Sequence, residues 1–223
     1  MKKNTRATSI IESMVVMLIV VTGITGMYTI FSQSQRLANT TWNRIEAIQI
    51  AREWIEAFTN IRDTNWILFA ADHKNCWNTL NYNNACIWDD SETYDISQTD
   101  SYTIYQDATT NRWMLGPQTV WGLTYADSAY RDYFQVFQYN DTSPYTWLYT
   151  QSGSASEIEV IIPIFTREIQ VQYIEDTNWA SWITSDDEKM RITSKVEWLD
   201  SAKSTPHTIE LETILTNWKN KAN

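Results

Sequence analysis

The chain has 223 residues, 43% of them aliphatic or aromatic, which suits one packed domain with an appendage and argues against wholesale disorder. Its 17 basic and 27 acidic residues give a formal charge of −10, and residues 63–223 alone hold 10 basic against 23 acidic ones. A phosphate-binding body carries the opposite sign, so nucleic acid is not expected as a partner of the acidic head; two His and two Cys cannot by themselves close a four-ligand zinc site.

The N-terminus reads first. Lys2, Lys3 and Arg6 precede any acid, and Ser13 to Phe31 carries no charge. Nineteen helical residues rise about 28 Å, close to the hydrocarbon thickness of a bilayer. The basic residues before the span place the short N-terminus in the cytoplasm and export the body. A cleaved secretory signal fits poorly, because no small-residue cleavage site follows and the helical pattern continues. Leu37, Thr41, Ile45, Ile48, Ile55, Phe58 and Ile61 recur at three- to four-residue steps, with a missing beat near Arg52. Arg44, Glu46, Gln49, Glu53 and Glu56 occupy other faces. The spacing predicts one helix from Thr8 to Arg62, apolar and then amphipathic, roughly 80 Å long. Gly23 and Gly26 mark a candidate bend, and Asp63-Thr64-Asn65 a candidate end.

Glu12 stands at the start of the apolar run, where a lone carboxylate is costly unless it meets a cation. Residues 2–19, KKNTRATSIIESMVVMLI, resemble the leader and first helical turns of type IV prepilins and pseudopilins. That resemblance implies a leader of residues 1–7 cut after Ala7, a mature chain beginning at Thr8, N-methylation there, and Glu12 as the fifth mature residue. It further implies that Glu12 of one subunit pairs with the Thr8 ammonium of a neighbour in a filament. Ala7 and Thr8 depart from the Gly and Phe that the family usually carries at these two places. Residues 47–66, AIQIAREWIEAFTNIRDTNW, look like the distal helix of V-subtype minor pilins and of I-subtype secretion pseudopilins, and the last 60 residues or so fit the same family.

The middle, residues 63–157, is rich in Asn, Asp, Thr and Tyr. Cys76 and Cys86 enclose a short Asn-rich loop; an even cysteine count in an exported domain predicts a disulfide between them, the alternative being two reduced buried thiols. The acidic runs 89–95 and 186–188 lack the spaced oxygens of an EF-hand and read as solvated loops, so no metal or other cofactor is expected. TIYQDATTNRWML predicts a hairpin about Ala108–Asn111, YFQVFQY (133–139) a strand, and QSGSAS (151–156) a loop. His73 and His207 have no helically spaced partner, and no nucleophile elbow, P-loop or dinucleotide fingerprint occurs, so catalysis is not expected.

The C-terminal third alternates with period two. Phe165, Ile169, Val171 and Tyr173 share one strand face, with Arg167 the exception. Met190, Ile192, Val196 and Trp198 share another, opposite Arg191, Lys195 and Glu197; Ile209, Leu211 and Leu215 alternate with Glu210 and Glu212. One face packs and one is wet, and the stripe of residues 37–61 is the natural cover for the packed face. The expected fold is α+β: a long N-terminal transmembrane and amphipathic helix packed on a C-terminal antiparallel β-sheet, pilin-like.

The segments expected are the leader 1–7, the transmembrane helix 8–31, the amphipathic helix 32–62, the variable region 63–157 and the terminal sheet 158–223. The expected role is a minor pilin-like structural subunit of a type IV pilus, not an enzyme. The resemblance implies other pilin subunits, contacted through the N-terminal helices, a prepilin peptidase and an inner-membrane assembly platform as partners. The chain would sit single-pass in the inner membrane and then in an extracellular pilus or periplasmic filament. A type II secretion pseudopilin is the near alternative, and a single-pass anchored extracytoplasmic binding protein the distant one. Composition adds an oddity: Trp numbers 12 and Gly only 5, where usage near 7% gives about 16 Gly. Trp54, Trp88, Trp179 and Trp182 stand where a small residue is expected, either because one codon is read as Gly in this protein or because the head has an aromatic surface.

Overall fold

The computed structural model describes residues 5–72, 76–79, 96, 101–106, 112–117, 122–139, 149–151, 158–161, 164–174, 189–200 and 205–217. The chain divides into two compact units, Met1–Ile45 and Glu46–Asn223.

Helix α1 spans Thr5–Leu68 and is helical through Gly23 and Gly26. It does not end at Asp63-Thr64-Asn65, as those polar residues suggest, because Asn65 is a buried fastener rather than a stop. Its Nδ2 donates to the carbonyls of Trp77 (3.2 Å) and Thr79 (2.9 Å), and Arg62 lies over the Trp66 ring at 4.5 Å in the next turn. Paired this way, the polar side chain supports one more turn of helix and pins the following loop to it.

The second unit holds a five-stranded antiparallel sheet in the order β2–β1–β6–β7–β8, built from β1 (Ser101–Gln106), β2 (Trp113–Pro117), β6 (Phe165–Tyr173), β7 (Lys189–Trp198) and β8 (His207–Thr216). The three terminal strands lie where the alternation predicts them, and the hairpin expected about residues 108–111 is the β1–β2 pair. Two strands of this sheet therefore come from the middle region. A smaller three-stranded sheet orders β4 (Tyr149–Thr150), β3 (Phe137–Tyr139) and β5 (Ile158–Val160). Tyr133 and Phe134, expected in a strand, close the short helix α2 (Ser128–Phe134) instead. Their aromatic rings favour a strand locally, but Phe134 is fully buried and packs at 4.7 Å against Tyr130 one turn earlier, which helical spacing provides and strand spacing does not.

The α1 face that packs on the sheet is shifted from the stripe expected at 37–61. Ala47, Ile50, Ala51, Trp54, Ala57, Phe58 and Ile61 are buried, while Leu37 and Ile45 are exposed. Three of the buried residues are alanines, which allow the helix to approach the sheet closely but read weakly as hydrophobic in a periodicity count. One cluster joins Trp54, Phe58, Ile61 and Trp66 to Tyr102, Ile104, Ile169, Val171, Tyr173 and Ile192. A second joins Ala47, Ile50 and Ala51 to Val136, Phe165, Val196 and Trp198. Where β1 and β6 part beyond the pairs Ser101–Gln170 and Tyr102–Ile169, Gln151 fills the gap. Its Nε2 donates to the Phe134 and Arg167 carbonyls and its Oε1 accepts from the Ile104 N–H.

Candidate functional site

The described residues contain one helix long and apolar enough to cross a membrane, and its most apolar stretch is exposed. From Ile10 to Phe31 every large apolar side chain is exposed, on all sides of the helix. Such a surface is stable only in lipid or against other helices. Its polar side chains are suited to that setting. Ser13 donates to the Ile10 carbonyl, Thr22 to Leu18, Thr25 to Val21 and Thr29 to Thr25, so these hydroxyls are satisfied within the helix.

Glu12 lies on this helix, exposed, and no ion pair reaches it among the described residues. Ala7 and Thr8 fall in the first turn, Thr5 being its first helical residue, and their side chains lie outside the described ones. Cys76 is buried against Phe69; Cys86 lies outside the described residues, so the disulfide remains an expectation. His73, the acidic runs 89–95 and 186–188, the loop 152–156, Trp88, Trp179 and Trp182 lie outside them as well.

The head carries two buried polar clusters, on opposite faces of β6. On the inner face Arg167, the exception in the strand pattern, is fully buried, and its Nη1 donates to the Ile50 carbonyl at 3.3 Å. Its acidic partner among the described residues is Glu53, 3.8 Å away, from the helical turn where the apolar beat is missing. Among the described residues the Arg167 Nε and Nη2 meet no hydrogen-bond acceptor, while the Tyr149 backbone N–H reaches Glu53. Burial pushes the Glu53 carboxyl up more than Arg167 pulls it down, and burial drives the Arg167 guanidinium well below its usual range. Burial likewise raises Glu46, partly offset by the Tyr149 hydroxyl. The Arg167 Cζ stands 2.8 Å from the centroid of the Trp54 ring, a tight cation–π stack, so this corner of the core is crowded.

On the outer face Glu168 and Glu197 share one donor. The Tyr130 hydroxyl reaches Glu168 Oε2 at 2.8 Å and Glu197 Oε2 at 3.2 Å. Ser101 and Gln170 also donate to Glu168, and Lys195 pairs with Glu197 at 3.0 Å. Burial, then the Glu168 charge, raises the Tyr130 phenol far above its ordinary range, so it stays a donor. This network fastens α2 to the sheet; sequence reading missed it, because alternation marks both glutamates as wet.

Among the described residues no group of three or more His, Cys, Asp or Glu side chains is arranged to hold a metal ion. Both clusters join neighbouring elements: Tyr130 ties α2 to β6 and β7, and Arg167 ties β6 to α1. No family model matches the chain, and no curated protein or solved structure matches it.

Proposed function

We propose that this chain is a minor pilin-like subunit of a type IV pilus, anchored and assembled through the first part of α1. The observation that carries the proposal is a single carboxylate, Glu12, on an otherwise uncharged, fully exposed apolar helix that continues into the helix of an α+β head. The physical argument follows from the isolation of that charge. A carboxylate in an apolar bundle needs a cation, and from Ser13 to Gln35 the helix supplies none. Cutting after Ala7 makes one, the α-ammonium of Thr8. Four residues from Thr8 to Glu12 leave the two charges about 6 Å apart along one helix axis, so a neighbour displaced along the filament can bring its ammonium to this carboxylate. Pairing neutralises both charges at once and fixes register between helices more than it adds stability. Apolar helix faces then supply the packing.

In this reading a prepilin peptidase removes residues 1–7, an inner-membrane platform draws the helix from the bilayer, and the head performs no catalysis. A type II secretion pseudopilin would use the same helix in a periplasmic filament. The test is Glu12→Ala in the full chain. The expected result is normal membrane insertion with loss from sheared filaments. Equal amounts of mutant and wild type in filaments would refute the role of Glu12, and an anchored binding protein would give that outcome, since a lipid span tolerates the change.

A further inference from the structure

The five-stranded sheet ends differently on its two sides. β2 is five residues long and closes on Pro117, which has no N–H to offer a further strand. β8 is ten residues long, contains no proline, and pairs with β7 through all ten residues without a bulge. Among the described residues no strand lies on its other side. Such an edge carries a row of backbone donors and acceptors open to one more strand, and proteins ordinarily blunt it with a short strand, a proline, a bulge or a charge. β2 has the first two of these devices; β8 has only charge, in Glu210 and Glu212.

The side chains of β8 describe the strand that fits. Ile209 and Leu211, on the face that packs on the core, are only partly buried although they border its second cluster. Thr208, Glu210 and Glu212, on the opposite face, are exposed, and so is Ile214 at 51%. Arg191 pairs with Glu212 at 2.6 Å. Lys195 stands directly across from Glu210 but pairs with Glu197 of its own strand at 3.0 Å, so among the described residues no cation reaches Glu210. A second copy of β8 does not supply one. Antiparallel registers that use most of the strand and keep the apolar faces together set Glu210 or Glu212 against a glutamate of the other copy.

We propose that the free edge of β8 is a strand-addition site for an extended segment of another protein, one in which cationic side chains alternate with apolar ones. The backbone of that segment continues the sheet, its apolar side chains cover Ile209 and Leu211, and a lysine or arginine opposite Glu210 supplies the missing charge. β7 itself shows the pattern: Lys189, Arg191 and Lys195 alternate with Met190, Ile192 and Val196 on the strand that β8 already accepts. The site lies wholly within the head and goes beyond the filament reading, which assigns the head no partner strand.

The test uses the full chain in detergent and a synthetic peptide of the β7 sequence, Lys189–Trp198, with amide hydrogen exchange read by mass spectrometry. At about 1 mM peptide, the fast-exchanging amides within residues 207–216 should slow about tenfold, with β2 and β7 unchanged. The same peptide with Lys189, Arg191 and Lys195 each replaced by Glu should bind about tenfold more weakly, and Glu210→Lys in the full chain should reverse that preference. The two peptides on the wild-type chain decide the matter should that variant fail to fold. No slowing of β8 by the cationic peptide, or equal binding of both peptides, overturns the proposal. Faster exchange in β7 also overturns it, because the peptide then displaces the chain's own strand. So does protection of β8 that grows with protein concentration before any peptide is added, since a second copy then occupies the edge.

Discussion

The two parts of α1 obey different rules. Before Ile45 its apolar side chains are exposed on every side; after Glu46 a line of small and large apolar residues is buried, and Gln49, Arg52, Glu56 and Asn60 on other faces are exposed. The second part is explained by the sheet it packs on. The first is apolar and exposed among the described residues, a composition that suits lipid or other helices. The same contrast recurs within the head at two consecutive residues of β6. Glu168 faces outward into a network of donors, whereas Arg167 faces inward to one long ion pair and a crowded indole. Burial alone does not measure what a polar residue contributes; the number of satisfied atoms does.

The sharpest way to break the contrast within β6 is a double-mutant cycle at Glu53 and Arg167. Glu53→Leu leaves a fully buried guanidinium without its counter-charge and should cost about 3–5 kcal/mol. Arg167→Leu should cost less, because the Glu53 carboxyl, already raised by burial, can take up a proton once its cation is gone. The pair of leucines together should come within about 1 kcal/mol of wild type or exceed it. Urea unfolding of the full chain in detergent reads all three, and strictly additive losses would contradict the account.

Next in size is the crowded indole. Phe58→Ala, in well-packed surroundings, should cost about 3–5 kcal/mol. Trp54→Gly should cost less by about 1–3 kcal/mol, because it relieves overpacking against Arg167. Equal losses would show that position 54 has no spare volume to gain. Peptide sequencing across residues 52–56 of the native protein determines separately whether Trp or Gly is inserted there.

A smaller effect follows from pH. The folded Glu53 and Glu46 hold protons more tightly than the unfolded chain does, since burial raises both. Their contribution is therefore fully present below the unfolded carboxyl range, near pH 4.5, and is lost as pH rises through the raised folded values. Measured against Glu53→Gln, wild-type stability should fall as pH rises above 4.5. A difference that grows with pH would have the wrong sign. The smallest effect belongs to exposed residues of α1: Leu37→Ser and Ile45→Ser should leave head stability within about 0.5 kcal/mol, a result that a thermal melt in detergent checks. A large loss would contradict the exposure of these side chains.

Much of this architecture is legible in the sequence, for reasons that can be named. β6, β7 and β8 follow from alternation, because a sheet covered on one face imposes period two. Arg167 and the missing beat near Arg52 are each visible as anomalies, but only the fold shows them to be one feature, with Glu53 joining them. The true packing face of α1 is hidden by Ala47, Ala51 and Ala57, whose small side chains contribute by permitting close approach rather than by hydrophobicity. The end of α1 is obscured because Asn65 finds its partners at Trp77 and Thr79, a non-local bond that no local propensity encodes. The same holds for Gln151, which ties β1, α2 and β6 together from a polar stretch. The candidate assembly residues Ala7, Thr8 and Glu12 stand on sequence pattern, and the fold adds the exposed helix on which they lie.

The filament reading is tested most directly by the N-terminal residue of the chain recovered from sheared filaments, read by sequencing and by intact mass. Removal of residues 1–7 gives Thr8, the one start that makes Glu12 the fifth residue and supplies the ammonium it needs. A chain that begins at Thr8 is the expected result. A chain that keeps Met1, or one cut beyond Thr25 so that the apolar helix is lost, would contradict the account.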